Sequence, residues 1–253
     1  MLAPREHGAY GQLLFPLASA LLIGRPAAGA YLLAASAVAA FLAHESLLVV
    51  LGQRGARVAR DQGTDARRSL ALFGAFCAVT GLVSFAVLPL DALTLLLVPL
   101  ALAVFVAIAV FMHRERTTAG EIVVGLALAS VSLPIATAGL VARASAVTLF
   151  VVFASIFITA TVAVRSMVGR VAKAGGPHPV VAIALTLAVL AGLASAVAIG
   201  RLAPIAPLAA LPVCVVALGL TVRPPSPRRL RAVGWTLVGA TGLTAVILVV
   251  ALF

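Results

Sequence analysis

Apolar stretches of about twenty residues recur from one end of this sequence to the other, and that spacing restricts the chain to one kind of solvent. A helix rising 1.5 Å per residue needs roughly 20 apolar residues to cross the ~30 Å hydrocarbon core of a bilayer. Nine candidate spans can be read, over residues 9–24, 27–51, 70–89, 92–112, 121–141, 146–164, 179–199, 202–222 and 233–252. Composition agrees: 63% of residues are hydrophobic, 10% are charged and mean hydropathy is +1.22, far from the usual values for soluble domains. The expected fold class is all-α, a polytopic transmembrane helical bundle of about nine spans. No stretch is left over for a soluble domain, so residues 1–253 read as one transmembrane helical domain. The first span is short and contains Pro16. Glu6 and Gln12 do not suit a cleaved secretory leader, so it reads as a retained span.

Charge sets the orientation. With the N-terminus placed in the cytoplasm, fifteen of the 18 Lys and Arg residues fall in inside segments, leaving Arg25, Arg143 and Arg201 on the other side. That is the positive-inside bias for a chain with its N-terminus in and its C-terminus out. The expected location is a cell membrane, multi-pass, of the bacterial inner-membrane kind. Basic loops facing anionic headgroups account for the net charge of +11, so nucleic acid is not an expected partner and membrane lipids are. Cys77 and Cys214 fall inside spans without ligand-like spacing, and read as small buried hydrophobes.

Acids and histidines are as lopsided as the bases, although topology does not require it of them. Glu6, His7, His44, Glu45, Asp61, Asp65, His113, Glu115, Glu121 and His178 all map to the cytoplasmic side, and Asp91 alone maps outside. The sharpest case is "FLAHESLLVVLGQRG". Apolar residues continue to Leu51, which puts His44 and Glu45 on the order of 10 Å inside the end of the second span. An ionisable residue at that depth is costly and is a functional candidate with a partner or water nearby. In "PREHGAYGQLLFP", Arg5, Glu6 and His7 enter the first span from the same side, and the short "GRPAAG" turn brings the two ends together. His7, His44 and Glu45 are therefore the candidate acid–base residues, and Arg5 and Glu6 join them as candidate binding residues. The His-Glu spacing carries no recognised ligand signature, so no metal site is assigned.

Other polar residues surround that centre. In "HRERTTAGEIVVG", Thr117 or Thr118 can cap a helix whose first turn holds Glu121, a further candidate. The long inside loop "GQRGARVARDQGTDARRSL" spaces Arg57, Asp61 and Asp65 four residues apart, on one face if helical, although Gly63 weakens a helix there. It reads either as a solvated, salt-bridged loop or as a phosphate-gripping lip. Pro134 is expected to kink the fifth span, with Ser130 or Ser132 satisfying the freed backbone.

"PREHGAYGQLLFP" with "HESLLVVLGQRGAR" resembles the YwiC-like family of bacterial membrane proteins, and the likeness covers most of the chain. The nine spans, the enlarged loop after the second and "GEIVVGLALASVSLPIATAG" are also similar to UbiA-type intramembrane prenyltransferases. That second resemblance implies nine helices around a lipid-open cavity, with Asp-rich motifs holding Mg²⁺ and an isoprenoid diphosphate. The motifs themselves are not intact. Asp61 and Asp65 match only the final pair of Asn-Asp-x-x-Asp-x-x-x-Asp, and "VRSMVGRVAKAGG" after the sixth span contains no acid.

Three functions remain open on the sequence. A divergent UbiA-like transferase would bind or process an isoprenoid or other lipid, with Arg57, Arg165 and Arg170 replacing metal against phosphate and His7, His44 or Glu45 as acid or base. A non-catalytic binder or assembly protein would keep the bundle alone. A small-solute transporter would use the same His and Glu as a relay, yet no repeat or midplane cluster supports it. Cofactor, oligomeric state and turnover are not specified by the sequence.

Overall fold

The structure, a computed structural model, describes residues 7–171, 176–226 and 229–253. Backbone in hydrocarbon must pair with itself, and among the described residues it does so through ten helices and no strand. They are α1 (His7–Leu22), α2 (Ala28–Val50), α3 (Ala56–Val87), α4 (Leu90–Phe111), α5 (Thr118–Ser130), α6 (Ser132–Ala138), α7 (Arg143–Val171), α8 (Pro179–Ala198), α9 (Ala206–Val222) and α10 (Leu230–Leu252). α5 and α6 are halves of one span, Thr118–Ala138, so the helices fall at nine span positions in the order expected. Seven of these are long and apolar enough to cross a membrane, while α9 and the Tyr10–Leu22 part of α1 are shorter apolar helices. The chain is a polytopic membrane helical bundle.

Three boundaries show local chemistry at work. Pro134 has no N–H for the carbonyl of Ser130. The Oγ of Ser132 donates to the Ala129 carbonyl at 2.6 Å and that of Ser130 to Ala127 at 2.8 Å, and the ladder breaks at Val131, as Pro134 leads one to expect. The eighth span was expected from residue 202, but α9 starts at Ala206. Pro207 sits in its first turn, where a missing N–H costs nothing, and the Ala203 amide instead donates to Thr148 Oγ1 at 3.0 Å. The segment after α2, expected as a loop, is the first part of the 32-residue α3. Helix-forming Ala, Arg and Gln carry it through Gly63, and Arg57 and Asp61 pair across one turn at 3.8 Å.

Two inner corners are built alike. α2 ends at Leu51, Gly52 takes φ 73°, and the amides of Gly52 and Gln53 reach back to Val49 and Leu48. α4 ends at Met112, His113 takes φ 55°, and the amides of His113 and Arg114 reach back to Val110 and Ala109. Both are Schellman closures, and each turns the chain sharply so that a charged residue follows within a few positions.

Packing divides several of the spans in two. α7 is the pillar, touching α1, α5, α6, α8, α9 and α10. Its Leu149, Val152, Phe153 and Ile156 are fully buried against Leu17 and Ala20 of α1, Ile135 and Ala136 of α6, and Ala210 and Val213 of α9. This core occupies the half of the bundle away from the basic loops. α2 and α3 form the tightest pair, with Ser84 Oγ donating to the Gly29 carbonyl at 2.9 Å and Ser36 Oγ to that of Cys77 at 3.0 Å. Small and hydroxylated residues let two helices approach closely where lipid offers no hydrophobic drive.

Two glycines on open surface should respond with opposite signs. Ala at Gly52 meets no atom but must adopt a left-handed backbone, so Gly52→Ala should cost about 1 kcal/mol. Gly63 is helical and equally unobstructed, so Gly63→Ala should gain about 0.8 kcal/mol. Thermal unfolding of the detergent-purified protein reads both. Orientation is checked separately: a reporter active only outside the cytoplasm, fused after Phe253, should be active, and the same reporter placed in the Arg223–Arg229 segment should be silent.

Candidate functional site

The half of the bundle nearest the basic loops is not filled. A cavity of about 1310 Å³ opens there, between α1, α2, the start of α3, α4, α5, α7 and α10. α1, α2, α4, α5, α7 and α10 each give residues both to the core and to this wall, whereas α8 and α9 give residues to the core alone. α7 lines it from Phe157 to Val168, α5 from Glu121 to Leu128, α4 with Pro99, Ala103 and Ala107, and α10 from Leu230 to Thr241. α4 packs on α5 and α6 but not along α2 or α3, so its small side chains face open space.

The charged side chains gather at the mouth of this hollow, in pairs from different elements. His44, near the end of α2, meets Glu115, from the loop after α4, with Nε2 and Oε1 3.1 Å apart. Glu45 is gripped through both oxygens by Arg54, which follows the Gly52 turn: Nε donates at 2.8 Å and a terminal nitrogen donates to the second oxygen. Glu121 is held the same way by Arg165 of α7, with Nε donating at 2.7 Å, and Arg165 also donates to the Arg116 carbonyl. Gln53 Nε2 donates to the Val110 carbonyl at 2.6 Å, tying the α2–α3 corner to the end of α4. Bidentate Arg–carboxylate contacts are the strong form of such pairs.

Local structure explains why Glu115 arrives where it does. Thr117 caps α5, its Oγ1 accepting from the Gly120 amide at 3.1 Å and donating to the Arg114 carbonyl at 2.7 Å. Gly120 packs under the loop so closely that a Cβ there would overlap the Arg114 and Glu115 carbonyls. Burial pushes the Glu115 carboxyl up, but the His44 hydrogen bond and the positive charge of His44, Arg54 and Arg116 outweigh it and hold Glu115 below its ordinary value of 4.5.

The sequence-derived candidates separate into groups. His44, Glu45 and Glu121 line the hollow, and Arg165 stands beside it on Glu121. Arg170 instead donates to the Thr221 carbonyl and links α7 to α9. Arg57 and Asp61 are 91% and 65% exposed on the outer face of α3, and Asp65 is exposed with them; Val58 and Gln62 are the α3 residues that line the wall. Arg5, Glu6 and the side chain of His7 lie outside the described residues. The approach of their helix is visible one turn on: Tyr10 meets Phe41 edge-on with ring centres 5.4 Å apart, and Phe41 is one turn before His44. Arg54 and Glu115 were not among the candidates, whereas the sequence already offers Arg114 and Arg116 beside Glu121. For Glu115 the signal was present, since "HRERTT" places an acid between two bases just past the end of a span.

The Mg²⁺ implied by the UbiA resemblance has no donor set in these residues. Among the described residues no three His, Cys, Asp or Glu side chains converge as ligands, Glu45 and Glu121 are each saturated by an arginine, and the two loop aspartates face away. The YwiC-like protein family model matches residues 3–136. The chain belongs to the YwiC-like family. No curated protein and no solved structure matches it. The YwiC-like match runs from the opening motif into α6 and so contains His44, Glu45, Arg54, Glu115 and Glu121, whereas Arg165 lies beyond it.

The Glu115 environment has a pH consequence. A carboxyl held lower in the folded than in the unfolded protein contributes stability that is complete above its unfolded value and lost as pH falls through its folded value. The fold should therefore weaken below pH 4.5 partly through Glu115. Glu115→Gln should flatten that acid limb in melting temperature against pH. Gly120→Ala, which displaces the loop without touching the carboxyl, should flatten it as well.

Proposed function

We propose that the chain binds an amphipathic, lipid-like ligand, of isoprenoid or acyl type, in this hollow, with its polar head at the basic end and its tail toward the bilayer middle. The observation that carries this reading is the gradient of the lining. Polar side chains stand at the mouth, and Leu13, Ala37, Leu128, Val131 and Phe157 line the interior. On α5 the wall runs from Glu121 to the break at Val131, about 15 Å of helix and half of a ~30 Å hydrocarbon core. A head-and-tail molecule satisfies both ends. A small polar solute would leave the apolar interior unmatched, which counts against the transporter reading.

Positive-inside orientation makes the mouth cytoplasmic, in a bacterial inner membrane. His44 is the proposed proton-transfer residue, its imidazole oriented by Glu115 as a base is oriented by a carboxylate. Glu45 neighbours it along α2, and His7, Arg5, Glu6, Glu121 and Arg165 complete the proposed surroundings of the head. A divergent UbiA-like transfer would use this same pocket. The saturation of Glu45 and Glu121 by arginines favours, as the second reading, a binder without turnover.

Lipid extracted from the gently purified protein and weighed by mass spectrometry should contain one amphiphile in near-stoichiometric amount. Ala103→Trp, which fills the wall opposite α2, should retain at least tenfold less of it. Extracts holding only bulk phospholipid, unchanged by that substitution, would remove the reading.

A further inference from the structure

The rim opposite the hollow's mouth holds few charges, and two of them share one groove. Arg143 opens α7, and Arg165, at the mouth, stands about 33 Å further along that helix. The two arginines therefore lie at opposite surfaces of a ~30 Å hydrocarbon core. Arg143 and Arg201 both line a groove of about 400 Å³ between the start of α7 and the end of α8, walled otherwise by apolar side chains, Val147, Val151 and Leu202 among them.

Local backbone chemistry sets both bases in place. α8 gives way at Ile199, Gly200 takes φ 70°, and the amides of Gly200 and Arg201 reach back to Val197 and Ala196, a closure like those at the inner corners. Two residues on, the Ala203 amide donates to Thr148 Oγ1, which pins this corner to α7 within two turns of Arg143. Neither arginine makes an ion pair among the described residues, and no acid among them lines the groove. Asp91, the acid on this side, is in the first turn of α4, which gives the groove no wall.

Topology gives no reason for two bases here, since the side away from the basic loops ordinarily carries few Lys or Arg. Their chemistry does. Guanidinium meets phosphate oxygens bidentately, and the wall below is apolar. From Arg143 to Val151 is about 12 Å of helix, which reaches from headgroup level into the acyl region.

We propose that the α7–α8 groove binds an anionic phospholipid of the leaflet on that side, its phosphate held by Arg143 and Arg201 and one acyl chain laid along Val147 and Val151. The site is separate from the hollow and does not depend on what occupies it. Arg25 supplies a control: it is exposed on the same rim, its amide donates to the Gly139 carbonyl at 2.7 Å, and it does not line the groove.

Native mass spectrometry of the purified full chain, titrated with phosphatidylglycerol or with phosphatidylcholine of the same acyl chains, reads the site. Phosphatidylglycerol should bind at least tenfold tighter. Arg143→Gln combined with Arg201→Gln should abolish that preference, and Arg25→Gln should keep it. Equal binding of the two lipids by the unaltered protein, or equal loss in Arg25→Gln, would overturn the proposal. Ala144→Trp fills the groove at an exposed position with both arginines intact. It should weaken phosphatidylglycerol at least fivefold, and unchanged binding would show that the groove holds no chain. Glycerol 3-phosphate, the head without the chains, should not displace the lipid; displacement would make this a site for free phosphate and not for lipid. Ala103→Trp, which fills the hollow, should leave phosphatidylglycerol binding unchanged, and loss there would put the lipid in the hollow and overturn the assignment to the groove.

Discussion

A carboxylate at the edge of the hydrocarbon has to be neutralised by something, and the inner half of this bundle is arranged around how three of them are. Ion pairs out of water repay their desolvation only when geometry is good and both oxygens are satisfied. Glu45 and Glu121 meet that condition with bidentate arginines, and Glu115 meets it with His44 and neighbouring positive charge. The partners lie in different elements. Arg54 comes from the α2–α3 corner, Glu115 from the α4–α5 loop and Arg165 from α7, so pairing draws the inner ends of α2, α4, α5 and α7 into one ring. The Gln53 bond to the Val110 carbonyl closes the ring at the α4 end. Because these contacts act at the rim, they hold the helices in place without filling the space between them.

The corners make the ring possible. A helix that simply ended in solvent would leave its last carbonyls to water and its next residues to drift. The closures at Gly52 and His113 instead reverse the chain within two residues and deliver Arg54 and Glu115 to fixed positions. Gly120 allows the second loop to lie directly on the first turn of α5, which fixes the height of Glu115 against His44. A chain of local backbone choices thus sets an electrostatic contact between residues 71 positions apart.

Much of the architecture was legible because bilayer thickness writes itself into sequence as span length, and nine span positions follow from that alone. The break at Val131 was legible too, since proline has one well-defined deficit, although the two serines donate to the Ala127 and Ala129 carbonyls and not to that of Ser130. The start of α9 and the helicity of residues 56–69 were not. The first is set by where Pro207 can be tolerated and the second by helix-forming Ala, Arg and Gln, and hydropathy is blind to both. For the site, depth within a span identified His44 and Glu45, but partners could not be assigned, because pairing depends on which corners meet in space. Arg165 had the charge of a phosphate ligand and turned out to belong to Glu121. Asp61 and Asp65 had the spacing of a motif remnant and point outward. A residue's charge is visible in sequence, whereas the charge it answers to is a property of the fold.

The hollow itself argues for an occupant. Apolar space left empty costs stability, so a hollow of about 1310 Å³ that opens to its surroundings is filled rather than dry. Water relieves that cost near polar groups, where it finds two or more partners, and the mouth offers them. Deeper in, Leu13, Leu128, Val131 and Phe157 offer none. Hydrocarbon is the filling that suits those walls. The small side chains of Pro99, Ala103 and Ala107 on α4 keep that space open, where larger residues would have closed the bundle as Phe153 and Ile156 close its other half.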